Sequence, residues 1–218
     1  MNNWEDEVAE TKDVLEAMHA VRETALRQCR LLIQTSAKCI RHVHRRQFDQ
    51  ARELLAEAKS ISIQARESMK SHPELLYAGY LQDAEKELVE AAAILAWAQP
   101  GETSAPSRKE LGVGVVSYLN GMGEAASECR RYVLDELRSG NLAGSEELLS
   151  RMETVYDDLI TFDYPDALTG GLRRTCDALR AVIERTRADL TMTTVQYDLK
   201  LELQKTQEKL QSQVAQSS

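Results

Sequence analysis

The sequence predicts an all-α protein, a bundle of six to seven helices. Three observations carry this. Proline (4) and glycine (10) are scarce among 218 residues, and aromatic residues make up only 5%. Ala, Leu, Glu, Arg and Gln dominate, the composition of long helices. Apolar residues recur at spacings of three and four, and the one alternating stretch, "LKLEL" (199–203), is short and lies in helical surroundings.

The first helix is expected from Asn3 to about Arg46, where Val14, Met18, Val21, Ala25, Cys29, Leu32, Ala37, Ile40 and Val43 keep that spacing. A second follows over about Phe48–Met69. "SHPE" (71–74) reads as a helix start, with Ser71 as cap, Pro73 in the first turn and Glu74 three residues after the cap. The third helix then runs to about Ala98. "QPGETSAPS" (99–107) is the one clear linker, rich in chain-breaking residues. A fourth helix ends at "SGN" (139–141), where Gly140 supplies a C-terminal stop. A fifth spans roughly 143–162, "DYPD" (163–166) is a turn, and a last helix runs from about Leu172 past Tyr197. Residues 1–205 form a single domain on this reading, and the polar end, 206–218, is expected to be a disordered tail.

No stretch approaches the ~20 uncharged apolar residues of a membrane span, and "MNNWEDEVAE" lacks a signal-peptide pattern. Cys29, Cys39, Cys129 and Cys176 form no CxxC pair and sit at core spacing, so they are expected to be reduced packing residues of a cytoplasmic protein. The formal net charge of -8 argues against a general nucleic-acid coating role. The charge is uneven, however. Arg22, Arg27, Arg30, Lys38, Arg41, Arg45, Arg46 and Arg52 are opposed only by Glu23 and Asp49. Such a local basic face tracks phosphates or balances acids on a neighbouring chain, and composition leaves both readings open. His42 and His44 flank the basic cluster and are expected at the surface.

At 100° per residue, the third helix has an apolar stripe of Leu76, Tyr80, Ala84, Leu88, Ala91 and Leu95. Glu87 projects inside that stripe and Glu90 on its shoulder, whereas Glu85 points to the opposite side and is expected to be solvated. On the fourth helix the stripe is Val115, Tyr118, Leu119, Met122, Ala126, Cys129 and Val133; Glu128 lies on its shoulder and Glu124 farther into the polar side. Gly121 and Ser117 leave room beside these two acids. Four converging carboxylates would suit a hard divalent ion, Mg2+ or Mn2+. No histidine is expected near them, which argues against an Exx-His di-iron bundle. Solvated faces laced by i,i+4 ion pairs remain the competing explanation. Asp83 and Asp135 are expected to be solvated, Asp135 being the substitute should Glu124 not take part.

Several segments together resemble the translin family, particularly its prokaryotic members: "RETALRQCRLLIQTSAKCIRHVHRRQFDQARELLAEAKS", "YLQDAEKELVEAAAILAW", "VVSYLNGMGEAASECRRYVLDELRSGN" and "YDLKLEL", in order over about residues 20–203. The family has a nucleic-acid-binding branch, translin, and a catalytic branch, translin-associated factor X, a metal-dependent RNA endonuclease whose site is built from four acids on two helices. The resemblance places the first pair at Glu87 and Glu90, in "KELVEA". It places the second at Glu124 and Glu128, after Tyr118-Leu119-Asn120-Gly121. The catalytic branch has Asp where this chain has Glu124, so that ligand is longer by a methylene. The segment after Trp97 is also shorter here than in the eukaryotic catalytic protein.

The resulting expectation is a Mg2+- or Mn2+-dependent endoribonuclease acting on single-stranded RNA, with Glu87, Glu90, Glu124 and Glu128 as metal-binding catalytic residues. Arg30, Lys38, Arg41, Arg45 and Arg46 would bind the strand by its phosphates. The resemblance also implies a homo-oligomer, a ring or barrel that is often octameric. Two alternatives stand beside it: a translin-like oligomer that binds single-stranded RNA or DNA without cutting, and a structural helical subunit of a hetero-oligomer.

Overall fold

The computed structural model describes residues 2–99 and 104–216. Among them, six long helices and three single turns follow one another: α1 (Asn2–His44), α2 (Phe48–Ser68), α3 (Pro73–Leu76), α4 (Tyr80–Ala98), α5 (Arg108–Leu111), α6 (Val115–Ser139), α7 (Leu142–Leu159), α8 (Asp166–Thr169) and α9 (Leu172–Gln216). The described residues contain no strand, and the all-α expectation holds. No helix among them is long and apolar enough to cross a membrane.

The helix α4 is the axis of the bundle. Its apolar residues face two cores at once. Leu81, Ala84, Leu88, Val89 and Ala92 pack with Ala25, Cys29 and Leu32 of α1 and Ala58, Ile61 and Ala65 of α2. Ala91, Ala93, Ile94, Leu95 and Trp97 pack with Ala126, Cys129 and Val133 of α6, Met152 of α7 and Leu179 and Ile183 of α9. A helix packed on two sides has little solvent face left, and its many alanines allow the close approach that such packing needs. The four cysteines are buried free thiols within this packing.

Three boundaries differ from the sequence expectation. The third predicted helix is broken: His72, not Ser71, is the N-cap of α3, which ends after one turn. Gly79, at φ 97°, then opens α4, in a left-handed backbone region that a side chain would disfavour. Within the expected linker, Ser107 and Glu110 form a capping box that starts α5. The segment 206–216, expected to be disordered, continues α9 as helix through Gln216. Its Lys, Gln, Glu and Leu residues are good helix formers.

Polar contacts also tie α8 and α9 to α6. Asn120, nearly buried, donates from Nδ2 to the Thr169 carbonyl (2.9 Å) and accepts from Thr175 Oγ1 (2.7 Å), joining α6 to α8 and α9.

Candidate functional site

The placement of the acids follows from how α4 and α6 meet. A Cβ on Gly121 would lie 2.6 Å from Val89 Cβ and 2.7 Å from the Lys86 carbonyl oxygen. Only glycine permits so close a crossing. The room expected beside the acids at Gly121 is therefore not there; α4 itself fills that space. Ser117 is likewise buried and engaged, its Oγ 3.4 Å from Glu85 Oε2. What the close contact does is bring the turn of α6 after Gly121 against the Lys86–Glu90 turn of α4.

At that crossing Glu87, Glu90 and Glu124 converge: one carboxylate oxygen from each lies within 4.8 Å of the others. All three are half-buried. Glu124, ranked last by its helical angle, is thus inside the cluster, because the crossing angle of two helices decides which shoulder residues meet. Glu128 belongs to a different contact, with its Oε1 2.6 Å from His44 Nε2. Asp135 pairs with Arg138 at 3.6 Å and takes no part in the cluster.

The electrostatics are unbalanced. Glu87 and Glu90 make no hydrogen bond or salt bridge with the described residues. Burial, reinforced by Glu87, Glu124 and Glu128, pushes the Glu90 carboxyl up from 4.5 to about 8, and Lys86 offsets this only in part. Glu87 is raised for the same first reason, burial, and then by Glu124. The nearby cation is Lys86, whose Nζ donates to Glu124 Oε1 at 2.8 Å. Burial alone would lower the Lys86 pKa, but its bond to Glu124 and the surrounding acids outweigh that and raise it. Among the described residues, one ammonium beside these carboxylates leaves the cluster short of positive charge.

The expectation that no histidine lies near the acids is overturned. The side chain of His44 is only 5% exposed, and its ring stacks on Tyr132 at 4.9 Å between centroids and 25° between planes. It comes from α1 rather than from three residues along an acid-bearing helix, so the paired Glu-x-x-His arrangement is not formed. Its position in "RHVHRR" concealed it, because a histidine between arginines reads as surface. The same terminal turn carries Arg45 and Arg46, both exposed, and Arg46 bonds Glu136 at 2.9 Å, two turns along α6 from Glu128. Arg30, Lys38 and Arg41 are exposed on the face of α1 opposite its buried Leu32, Cys39 and Val43.

The second correction is Glu85. Expected in solvent, it is fully buried. Arg66 of α2 pairs with its Oε1, Ser62 Oγ lies 3.5 Å away, and the Gly114 N–H and Ser117 Oγ approach Oε2 at 3.3 and 3.4 Å. The carboxylate thus sits at the N-terminus of α6, where helix N–H groups favour negative charge.

The donor set at Glu87, Glu90 and Glu124 fits a small hard cation. It offers only oxygen, two of the three acids are unpartnered, and the spread matches the roughly 4–5 Å across the oxygen shell of one divalent ion.

No protein-family model matches the chain. Among curated proteins, the uncharacterized protein MJ0175 of Methanocaldococcus jannaschii is 32% identical over 173 residues, covering 78% of this chain and 75% of its own. Among solved structures, AfC3PO in complex with duplex RNA superimposes with a TM-score of 0.78 at 32% identity, covering 87% of this chain and 97% of that one. A second structure, of AfC3PO, gives 0.77 at the same identity and coverage. Apo-NeC3PO gives 0.76 over 85% of this chain and 96% of that one, at 22% identity, a likeness of fold. Identity and fold agree over most of both chains, and the protein belongs to the translin family, among the prokaryotic homologues of C3PO.

Proposed function

We propose that the chain is a metal-dependent endoribonuclease whose centre is the α4–α6 carboxylate cluster. The observation that carries this reading is Glu87, Glu90 and Glu124 within 4.8 Å, two of them unpartnered and with raised pKa values. Such a group of half-buried acids is costly unless it holds protons or a cation. Glu87, Glu90 and Glu124 would hold Mg2+ or Mn2+, with Glu128 as the fourth carboxylate. Bound there, a divalent ion supplies Lewis-acid activation of water and charge compensation for phosphodiester hydrolysis.

The chain's own residues do the rest. Lys86, anchored on Glu124, offers an ammonium at the edge of the cluster to a non-bridging phosphate oxygen. The exposed Arg41 and Arg45 lie at the end of α1 that His44 docks onto α6, so they can hold a strand by its phosphates close to the acids. Arg30 and Lys38 continue that face away from the site, and Arg46 reaches the strand only by leaving Glu136. RNA as the polymer follows from the family and from AfC3PO, which is seen with duplex RNA. Single-stranded RNA is the substrate form that the family resemblance implies, and the same resemblance implies that the chain itself assembles as a homo-oligomer, a ring or barrel.

One observation favours the alternative of binding without cutting: Glu128 and Glu124 already have partners, in His44 and Lys86. A cleavage assay separates the two. Fluorescent RNA, single-stranded and duplex, is incubated with the purified chain and Mg2+, Mn2+ or EDTA, beside Glu87→Ala/Glu90→Ala. The expected result is metal-dependent cutting by the parent and at least a hundredfold loss in the variant. RNA retained but intact with every metal would remove the nuclease reading and leave a binding protein.

A further inference from the structure

His44 is not itself one of the carboxylates, but it pairs with Glu128, the acid that stands beside the Glu87, Glu90 and Glu124 cluster. Among the described residues the imidazole makes one polar contact, Nε2 to Glu128 Oε1 at 2.6 Å, and its buried Nδ1 finds no partner there. A ring that merely filled space would be better replaced by an apolar one, since an unpaired buried polar atom costs free energy. Two features hold the ring in place. Tyr132, four residues after Glu128 and so on the same face of α6, stacks on it. The turn that ends α1 is closed by Gln47 N–H to the His42 carbonyl at 2.9 Å. An ionised carboxylate only accepts hydrogen bonds, so Nε2 carries the hydrogen, and the contact occupies one of Glu128's two oxygens.

We infer that His44 is a positioning residue for the carboxylate centre: it fixes the orientation of Glu128 through Oε1 and leaves Oε2 free to join Glu87, Glu90 and Glu124 around a divalent cation. The inference rests on the proposed cation site. It also gives the basic end of α1 a second task, because the residue that orients the fourth acid is carried on the turn that bears Arg45 and Arg46. Outer hydrogen-bonding partners of metal ligands commonly govern affinity by ten- to hundredfold.

The test uses Mn2+ binding by titration calorimetry on the full chain, with apo thermal melting as the control for folding. Phe at position 44 keeps the ring on Tyr132 but removes the donor. Gln carries an amide donor where Nε2 was, whereas Asn carries one where Nδ1 was. His44→Phe and His44→Asn are expected to weaken Mn2+ binding about ten- to hundredfold, and His44→Gln to stay within about threefold of the parent. Glu128→Ala and His44→Phe/Glu128→Ala should lose affinity equally, since the histidine acts only through that acid. Parent-like Mn2+ binding by His44→Phe overturns the inference, as does failure of Gln to rescue better than Asn. A further loss in the double variant also overturns it. Should His44→Phe not fold, the Gln and Asn pair decides. A parent that binds no Mn2+ removes the cation site itself, and this inference with it; a parent that binds, with Glu87→Ala abolishing binding, leaves the site standing whatever position 44 shows.

Discussion

Five residues apart on α4, Glu85 and Glu90 are both acids in the interior of one helix bundle, and they have opposite surroundings. Glu85 is fully buried but surrounded by compensation: an arginine, two hydroxyls and a helix N-terminal N–H. Glu90 is less buried, yet its neighbours are Glu87, Glu124 and Glu128, and its carboxyl is pushed up to about 8. Burial by itself therefore does not mark a functional acid. A structural carboxylate is enclosed by donors, and a carboxylate kept for a ligand is enclosed by its own kind. The two should respond in opposite directions to the same change.

The largest expected effect is on the structural acid. Glu85→Ala leaves Arg66 without its partner and the Gly114 N–H and Ser117 hydroxyl unsatisfied. Arg66 is 38% exposed and can reach water, so urea unfolding should show a loss of about 2–4 kcal/mol, at the lower part of the range for broken buried pairs. Glu90→Gln should show no such loss in EDTA. Equal destabilisation by both would erase the distinction between them.

Next comes the crossing that assembles the cluster. Gly121→Ala places a methyl against Val89 and the Lys86 carbonyl and should cost about 1–3 kcal/mol. It should also weaken Mn2+ binding, because α4 and α6 separate where Glu87, Glu90 and Glu124 meet. Unchanged metal binding in a destabilised variant would detach the cluster from the crossing.

The pH dependence sharpens the contrast. The folded chain holds a proton on Glu90 up to about pH 8, whereas the unfolded chain releases it near 4.5. This group's stabilisation is full below about 4.5 and is lost as pH rises through about 8. In EDTA the melting temperature should fall over that window, Glu90→Gln should flatten the fall, and Mn2+ should restore stability above pH 8, since the cation replaces the proton. A melting curve that ignores pH and metal alike would count against an uncompensated Glu90.

The smallest effect is expected at Lys86. Lys86→Met removes the one ammonium on the cluster, with its side chain 26% exposed, so only a few-fold change is expected. Mn2+ affinity should rise, as Glu124 loses a competitor, while RNA cleavage falls. A fall in both would mean that the lysine supports the acids rather than the substrate.

The reach of the sequence is clearest where it failed. Glu85 was misplaced because a single apolar stripe presumes a single solvent face, and α4 is enclosed on both sides by α1 with α2 and by α6. Glu124 was ranked last because a helical wheel gives angles on one helix but not the crossing of two. His44 was read as surface because its neighbours are arginines, although an apolar platform, Tyr132, lay 88 residues further along the chain. The break at Gly79 was missed because the residues on both sides keep helical spacing.

Legible in the residues alone are the class of the protein and its vocabulary: helices in order, stops such as Gly140, buried thiols, a cationic first helix, and acids in pairs at helical spacing. Those are local properties, set by propensity and by the 3.6-residue period within one segment. Which acids meet, which one is paired with an arginine, and which histidine leaves the surface are settled by the packing of distant helices. Charge compensation is a property of neighbours brought from distant segments, and the packing of Gly121 against α4 selects them.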